Sequence, residues 1–275
     1  MSAECIHGFE AGMCATCFPA AEPVVDKPVR RAPPRGAPTA PRASSGVRHG
    51  TTRSARGSAR SADPKPINIS EQRIYHITHI DNLAAILDDS ALIADAILAD
   101  RPAVDIASHD ARVVRRGIDV TVSGATVAEH VPFYLSPDAY LWDAIRSGTA
   151  DPRLSQAAYR GSAYDFVVLV TTIGGIQEHL GIDGVVVVAD GDAAGPLTRF
   201  DADPRSRTLR TMLLAEEEGD LLRAELLVPD RVPFSVITLV GVANLAQRAA
   251  VKDLLDLAGA QPRVSVYPPW FQTTE

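Results

Sequence analysis

Apolar and polar positions follow two different rhythms along the chain. Residues 73–78 carry the period-two pattern of a half-buried strand, and Ile80, Leu83, Ile86 and Leu87 then recur at helical spacing. The pattern predicts a strand at 131–136 followed by a helix to about Arg146. It predicts further strands at 165–172, 185–189, 224–228, 236–242 and 263–267. Helical spacing falls within 103–116, 174–181, 207–218 and 244–258. Strands and helices mix without a regular strand–helix–strand repeat, which favours an α+β fold over a doubly wound sheet.

All these patterns lie in residues 68–275, and the first quarter of the chain is different. Residues 19–67 are rich in Pro, Ala, Arg, Ser and Gly and have almost no apolar periodicity. Such a stretch buries too little surface to offset its ordering entropy, so it is expected to be a disordered linker. Residues 1–18 hold every cysteine of the chain, as Cys5-x-His7 followed by Cys14-x2-Cys17. Zinc takes four nitrogen or sulfur ligands in a tetrahedron, and a Cys-x2-Cys knuckle supplies two from one turn. The segment is therefore expected to be a small head folded by structural zinc. Three unrelated reduced thiols on a tail are the bland alternative.

Composition limits the class. With 46% hydrophobic residues and a mean hydropathy of +0.02, the chain suits one sizeable globular domain with an appendage. No apolar run reaches the roughly 18 residues of a membrane helix. Glu4 stands early, with no basic-then-apolar pattern, so neither a signal peptide nor export is expected and a cytoplasmic location is. The net charge of −7 conceals an asymmetry. Residues 27–65 carry ten Lys/Arg against Asp63, a charge of +9 that leaves −16 for the remainder. A basic arm of this kind suits a polyanion such as nucleic acid, although it also serves as a soluble tether.

Three constellations could carry chemistry. His76 and Thr78 share a strand face, and Asn82 follows at the strand-to-helix junction. A ring nitrogen, a hydroxyl and an amide suit a ribose or a carboxamide. From spacing alone, a polar strand end with Thr78 or Asp81 capping the helix is the better reading. Arg115 and Arg116 stand at a predicted helix end, where guanidinium could clamp a pyrophosphate or merely complement the helix dipole. Glu225 sits inside the apolar strand segment Ala224-Glu225-Leu226-Leu227-Val228. A carboxylate there is costly unless paired or at the rim of a cleft, where it can act as a base; the alternative is an edge strand with Glu225 facing water.

The segments "IYHITHIDNLAAIL", "VPFYLSP" and "AELLVPDRVPF" occur in the same order as in the DarT family, which this chain resembles over about residues 73–270. That family consists of bacterial toxins that ADP-ribosylate bases of single-stranded DNA. The resemblance implies the ADP-ribosyltransferase fold, a split and strongly bent β-sheet with NAD+ in its cleft as co-substrate. It implies cofactor contacts at His76, Thr78, Asn82 and Arg115, and catalysis by Arg115 and Glu225, with Arg116 as the neighbour left open. Residues 191–222 correspond to the loop that helps recognise the target. It further implies a toxin–antitoxin pair, with a macrodomain hydrolase as the partner. Where the family often has Ser-Pro-Met-Leu-Tyr, this chain has Asp138-Ala139-Tyr140-Leu141-Trp142. Thymidine and guanosine modifiers both resemble the family, so the target base stays open between them.

The chemistry so implied needs no metal. Glu225 would take a proton from the attacking base nitrogen while the cleft steadies charge developing on the ribose. Single-stranded substrate spares the cost of unstacking a duplex, and Phe133, Tyr134, Tyr140 and Trp142 are candidate stacking surfaces, with Phe133 expected in the core. Two rivals predict different behaviour. A non-catalytic nucleic-acid-binding protein would bind through residues 1–67 and consume no NAD+. A protein-modifying ADP-ribosyltransferase would use the same cleft on an amino-acid acceptor.

Overall fold

The computed structural model describes residues 68–121, 124–181, 184–202, 207–214 and 219–273. The expected zinc head with Cys5, His7, Cys14 and Cys17, and the expected linker at 19–67, lie outside the described residues. Among those described, no helix is long and apolar enough to cross a membrane.

Among the described residues, ten strands and seven α-helices follow in order: β1 (Arg73–His79), α1 (Leu83–Asp88), β2 (Ala91–Ile93), α2 (His109–Arg116), β3 (His130–Tyr134), α3 (Tyr140–Ser147), α4 (Gln156–Arg160), β4 (Phe166–Thr172), α5 (Ile173–Leu180), β5 (Val187–Ala189), β6 (Phe200–Asp201), α6 (Arg207–Leu214), β7 (Glu225–Pro229), β8 (Arg231–Pro233), β9 (Leu239–Val242), α7 (Leu245–Ala258) and β10 (Arg263–Val266). Eight strands make one mixed sheet in the order β10-β9-β4-β1-β3-β7-β5-β6, and β2 pairs with β8 apart from it. Every neighbouring pair is antiparallel except β9 and β10, which are parallel and joined by the crossover helix α7. That connection obeys the need of parallel neighbours for a long return path.

The sheet is held unevenly. β1 and β4 pair along seven residues, from Arg73↔Thr172 to His79↔Phe166. β1 and β3 share the single register pair Tyr75↔Tyr134. The expected split is therefore a narrow joint between two four-stranded halves that stay hydrogen-bonded. β4 reads FVVLVTT because it is buried on both faces, and a strand covered twice needs no polar alternation. One face packs Ile74, Phe133, Leu169 and Leu226 against α1, α5 and α7. The other packs Tyr75, Phe166 and Val168 against Trp142 and Ile145 of α3 and Phe271 near the C-terminus. Full burial of each such side chain contributes about 1.5–3 kcal/mol.

Local chemistry moved several expected boundaries. The helical spacing in 103–116 becomes a helix only from His109. Asn82 holds Val104 through both its amide atoms, at 2.8 and 2.9 Å, so that stretch stays extended. Ser108 then caps α2 by accepting the Ala111 N–H at 3.1 Å. The turn after β1 is capped by His79, whose Nδ1 accepts the Asp81 N–H at 3.3 Å, rather than by Thr78 or Asp81. The strand read at 236–242 begins only at Leu239, because Phe234–Val236 forms a 3-10 turn after Pro233.

Candidate active site

Glu225 opens β7 in the interior of the sheet, opposite Tyr134 of β3 on one side and Ala189 of β5 on the other. It is buried, at 4% exposure. The apolar Leu226–Val228 that follow are fully buried, so the strand cannot slip to let the carboxylate reach water. An uncompensated carboxylate at such a depth would be costly, and it has two partners.

The first partner is Arg115, in the last turn of α2. Its guanidinium forks onto both carboxylate oxygens, with Nη2–Oε2 at 2.9 Å and Nη1–Oε1 at 3.4 Å. α2 is anchored to bring it there. Arg112, one turn earlier, binds both Asp95 and Asp105, and Arg116 binds Asp95 at 3.0 Å with half its side chain in solvent. Adjacent helical residues point about 100° apart, so only one of the Arg115–Arg116 pair can enter the sheet. The structure brings Arg115 to Glu225 and leaves Arg116 outside. Burial works against the Arg115 charge, but Glu225 outweighs it, and the guanidinium is held more firmly protonated than usual.

The second partner is the main chain. The Ala193 N–H donates to Glu225 Oε1 at 2.9 Å. Asp192 beside it is bound by Arg153, which also grips Asp151 at 2.6 and 2.8 Å. Those hydrogen bonds donated to Asp151 raise the Arg153 pKa and outweigh burial, which lowers it. Arg153 thus fastens the loop after β5 to the 151–155 segment and aims one N–H at the carboxylate.

These residues floor an open cleft of about 380 Å³, lined also by Ala107, Tyr134, Tyr140, Leu222 and Arg223. Burial, with Glu225 beside it, pushes the Tyr134 phenol upward, so it stays a neutral hydroxyl in the cleft wall. The cleft therefore offers a fixed carboxylate, flanking cations and an aromatic wall. Those are the parts needed to seat a charged sugar–phosphate ligand and take a proton from a nucleophile.

The other expected contacts are placed differently. His76 is on the opposite face of the sheet from Glu225, its ring against Phe133 at 5.6 Å between centroids and its Nδ1 at 2.9 Å from the Pro132 carbonyl. Burial lowers its pKa. Thr78 accepts from the Asn82 amide at 3.2 Å, and Asn82 spends its remaining capacity on Val104. Neither side chain lines the cleft. They hold the segment leading to Ala107 and α2, which in turn carries Arg115. Among the aromatic candidates, Phe133 and Trp142 are core, whereas Tyr134 and Tyr140 line the cleft. Arg153, Asp192 and the Ala193 N–H escaped sequence reasoning, since each acts on a group far along the chain.

A family model described as "ssDNA thymidine ADP-ribosyltransferase, DarT" matches residues 75–272. A Mycobacterium tuberculosis protein described as a DNA ADP-ribosyl transferase is 26% identical over 226 residues, 76% of this chain and 93% of its own length. Thermus sp. 2.9 DarT, solved in complex with ADP-ribosylated single-stranded DNA, has the same fold at a TM-score of 0.60 and 23% identity, covering 73% of this chain and 96% of that one. Its NAD+ complex matches at a TM-score of 0.59 and 23% identity, covering 73% and 98%. Thermosipho africanus DarTG, in complex with ADP-ribose, matches at 0.52 and 17% identity over 73% of this chain and 51% of that one.

Proposed function

The chain belongs to the DarT family and is an NAD-dependent ADP-ribosyltransferase acting on single-stranded DNA, and we propose that the Arg115–Glu225 cleft is where it does so. The observation that carries this reading is the Arg115 fork on a Glu225 carboxylate that is 4% exposed and opens on the cleft. A base nitrogen attacks the ribose carbon that bears nicotinamide. The carbon–nitrogen bond to nicotinamide breaks, and its electron pair leaves with that ring. Glu225 accepts the proton that the attacking nitrogen sheds. Arg115 and the Ala193 N–H fix the carboxylate, so it need not reorganise as charge develops. Arg153, through Asp192, holds the loop that supplies that N–H.

Thr78 and Asn82 contribute by holding the 104–107 segment, and His76 by bracing β1 against β3. Thymidine is the proposed target base, after the description of the family model; guanosine is the competing outcome. The biological role proposed is that of a cytoplasmic toxin, opposed by a macrodomain antitoxin that removes the mark. Structural zinc at Cys5, His7, Cys14 and Cys17 is proposed on their spacing alone, and metal analysis of the purified protein decides it.

The test is incubation with NAD+ and single-stranded oligonucleotides of varied base content, read by intact-mass spectrometry. The reading predicts a gain of one ADP-ribose on thymidine-containing strands. NAD+ left intact with every oligonucleotide unmodified would overturn it.

A further inference from the structure

One edge of the cleft takes no part in holding Glu225. Tyr140, the first residue of α3, stands there with 42% of its surface exposed. The Arg223 guanidinium lies over its ring, 4.9 Å from the centroid. The main chain ties the two together, since the Tyr140 N–H donates to the Leu222 carbonyl at 3.0 Å. Both side chains line the same cleft as Glu225.

The cleft's three arginines are used differently. Arg115 is forked onto Glu225, and Arg153 is held by Asp151 and Asp192. Arg223 meets no carboxylate among the described residues, and its partner is an aromatic ring. Such a pair sets a flat apolar face beside a charge left for an outside anion. A single strand of nucleic acid offers the complement, a flat base next to a phosphate. The modified base must reach Glu225 on the cleft floor, so the base at the rim is a neighbour along the strand.

We propose that Tyr140 and Arg223 form the platform that seats the DNA strand, with Tyr140 stacking a base that flanks the target and Arg223 neutralising a phosphate. This rests on the assignment of the cleft to DNA modification.

The test uses the full chain, NAD+ and single-stranded oligonucleotides of fixed sequence. Tyr140→Ala should raise KM for DNA roughly 5- to 150-fold, the range of losing one base–aromatic stack. KM for NAD+ should stay unchanged, and Tyr140→Phe should behave as wild type. Arg223→Ala, at an exposed position that leaves the core untouched, should lower the slope of log affinity against log salt by about 0.7. Arg223→Lys should restore that slope. A rise in KM for NAD+ instead of DNA would assign the ring to the co-substrate and overturn the platform. Unchanged DNA affinity and salt slope in both Ala variants would do the same. If the wild type itself leaves DNA unmodified, the premise fails rather than the platform.

Discussion

Two polar clusters are buried in this sheet, and they are built to opposite ends. In the first, Thr78 and Asn82 satisfy each other and Val104, and neither lines the cleft. In the second, Arg115, Glu225 and the Ala193 N–H satisfy one another around an open cleft. Both obey the rule that buried polar groups are paired. Pairing therefore does not distinguish a functional cluster from a structural one. What differs is access: one closes on its own backbone, the other on space a ligand can enter.

That contrast can be broken by experiment. Arg115→Ala should cost the most, about 100- to 1000-fold in kcat, by analogy with loss of one preorganised charge partner. It should also lower stability by about 3–5 kcal/mol, because Glu225 is left buried and unpaired. Steady-state kinetics with urea unfolding checks both. Asn82→Ala should act chiefly on stability, by about 2 kcal/mol, since Val104 loses partners for both its N–H and its carbonyl. Its residual activity should exceed that of Arg115→Ala by at least about tenfold. Equal losses of kcat in the two variants would erase the distinction between the clusters.

A control outside both clusters sharpens the contrast. A Cβ at Gly241 would stand 2.6 and 2.7 Å from ring atoms of Trp270, so Gly241→Ala should cost about 1–3 kcal/mol by overpacking. Its kcat at low temperature should match wild type.

The smallest effect is on pH. Burial, the leading cause at both, lowers the pKa of His76 and His130. Below about pH 6.5 the unfolded chain then binds protons that the folded chain resists. Stability is full above that pH and falls as pH drops through it toward the folded values. The urea midpoint should be lower at pH 5.5 than at 7.5, and His130→Gln should flatten the difference.

The sequence disclosed elements better than contacts. Strands β1, β4, β7 and β10 and helices α3, α5 and α7 stand close to where the periodicity placed them. β2 and β8 were missed because three residues, Ala91–Ile93 and Arg231–Pro233, are too few to show alternation. Glu225 was visible as a carboxylate in an apolar strand, an anomaly that needs a cause. The choice between Arg115 and Arg116 was not visible, since two neighbours on one short helix differ only in which way the packed helix is turned. Asn82 drew notice for its polarity at a junction, but its partner lies 22 residues away. Arg153 is an ordinary surface-type residue until Asp192, 39 positions on, is folded against it.

The central claim is that the Glu225 carboxylate is the group that takes the proton in the transfer. Glu225→Gln keeps the side chain's volume and an oxygen for the Ala193 N–H while removing the base. Intact-mass spectrometry of single-stranded oligonucleotides, run beside wild type with NAD+ and matched for thermal unfolding, is the direct measurement. No ADP-ribose added by a folded Glu225→Gln protein is the predicted result. Wild-type modification by that variant would contradict the account.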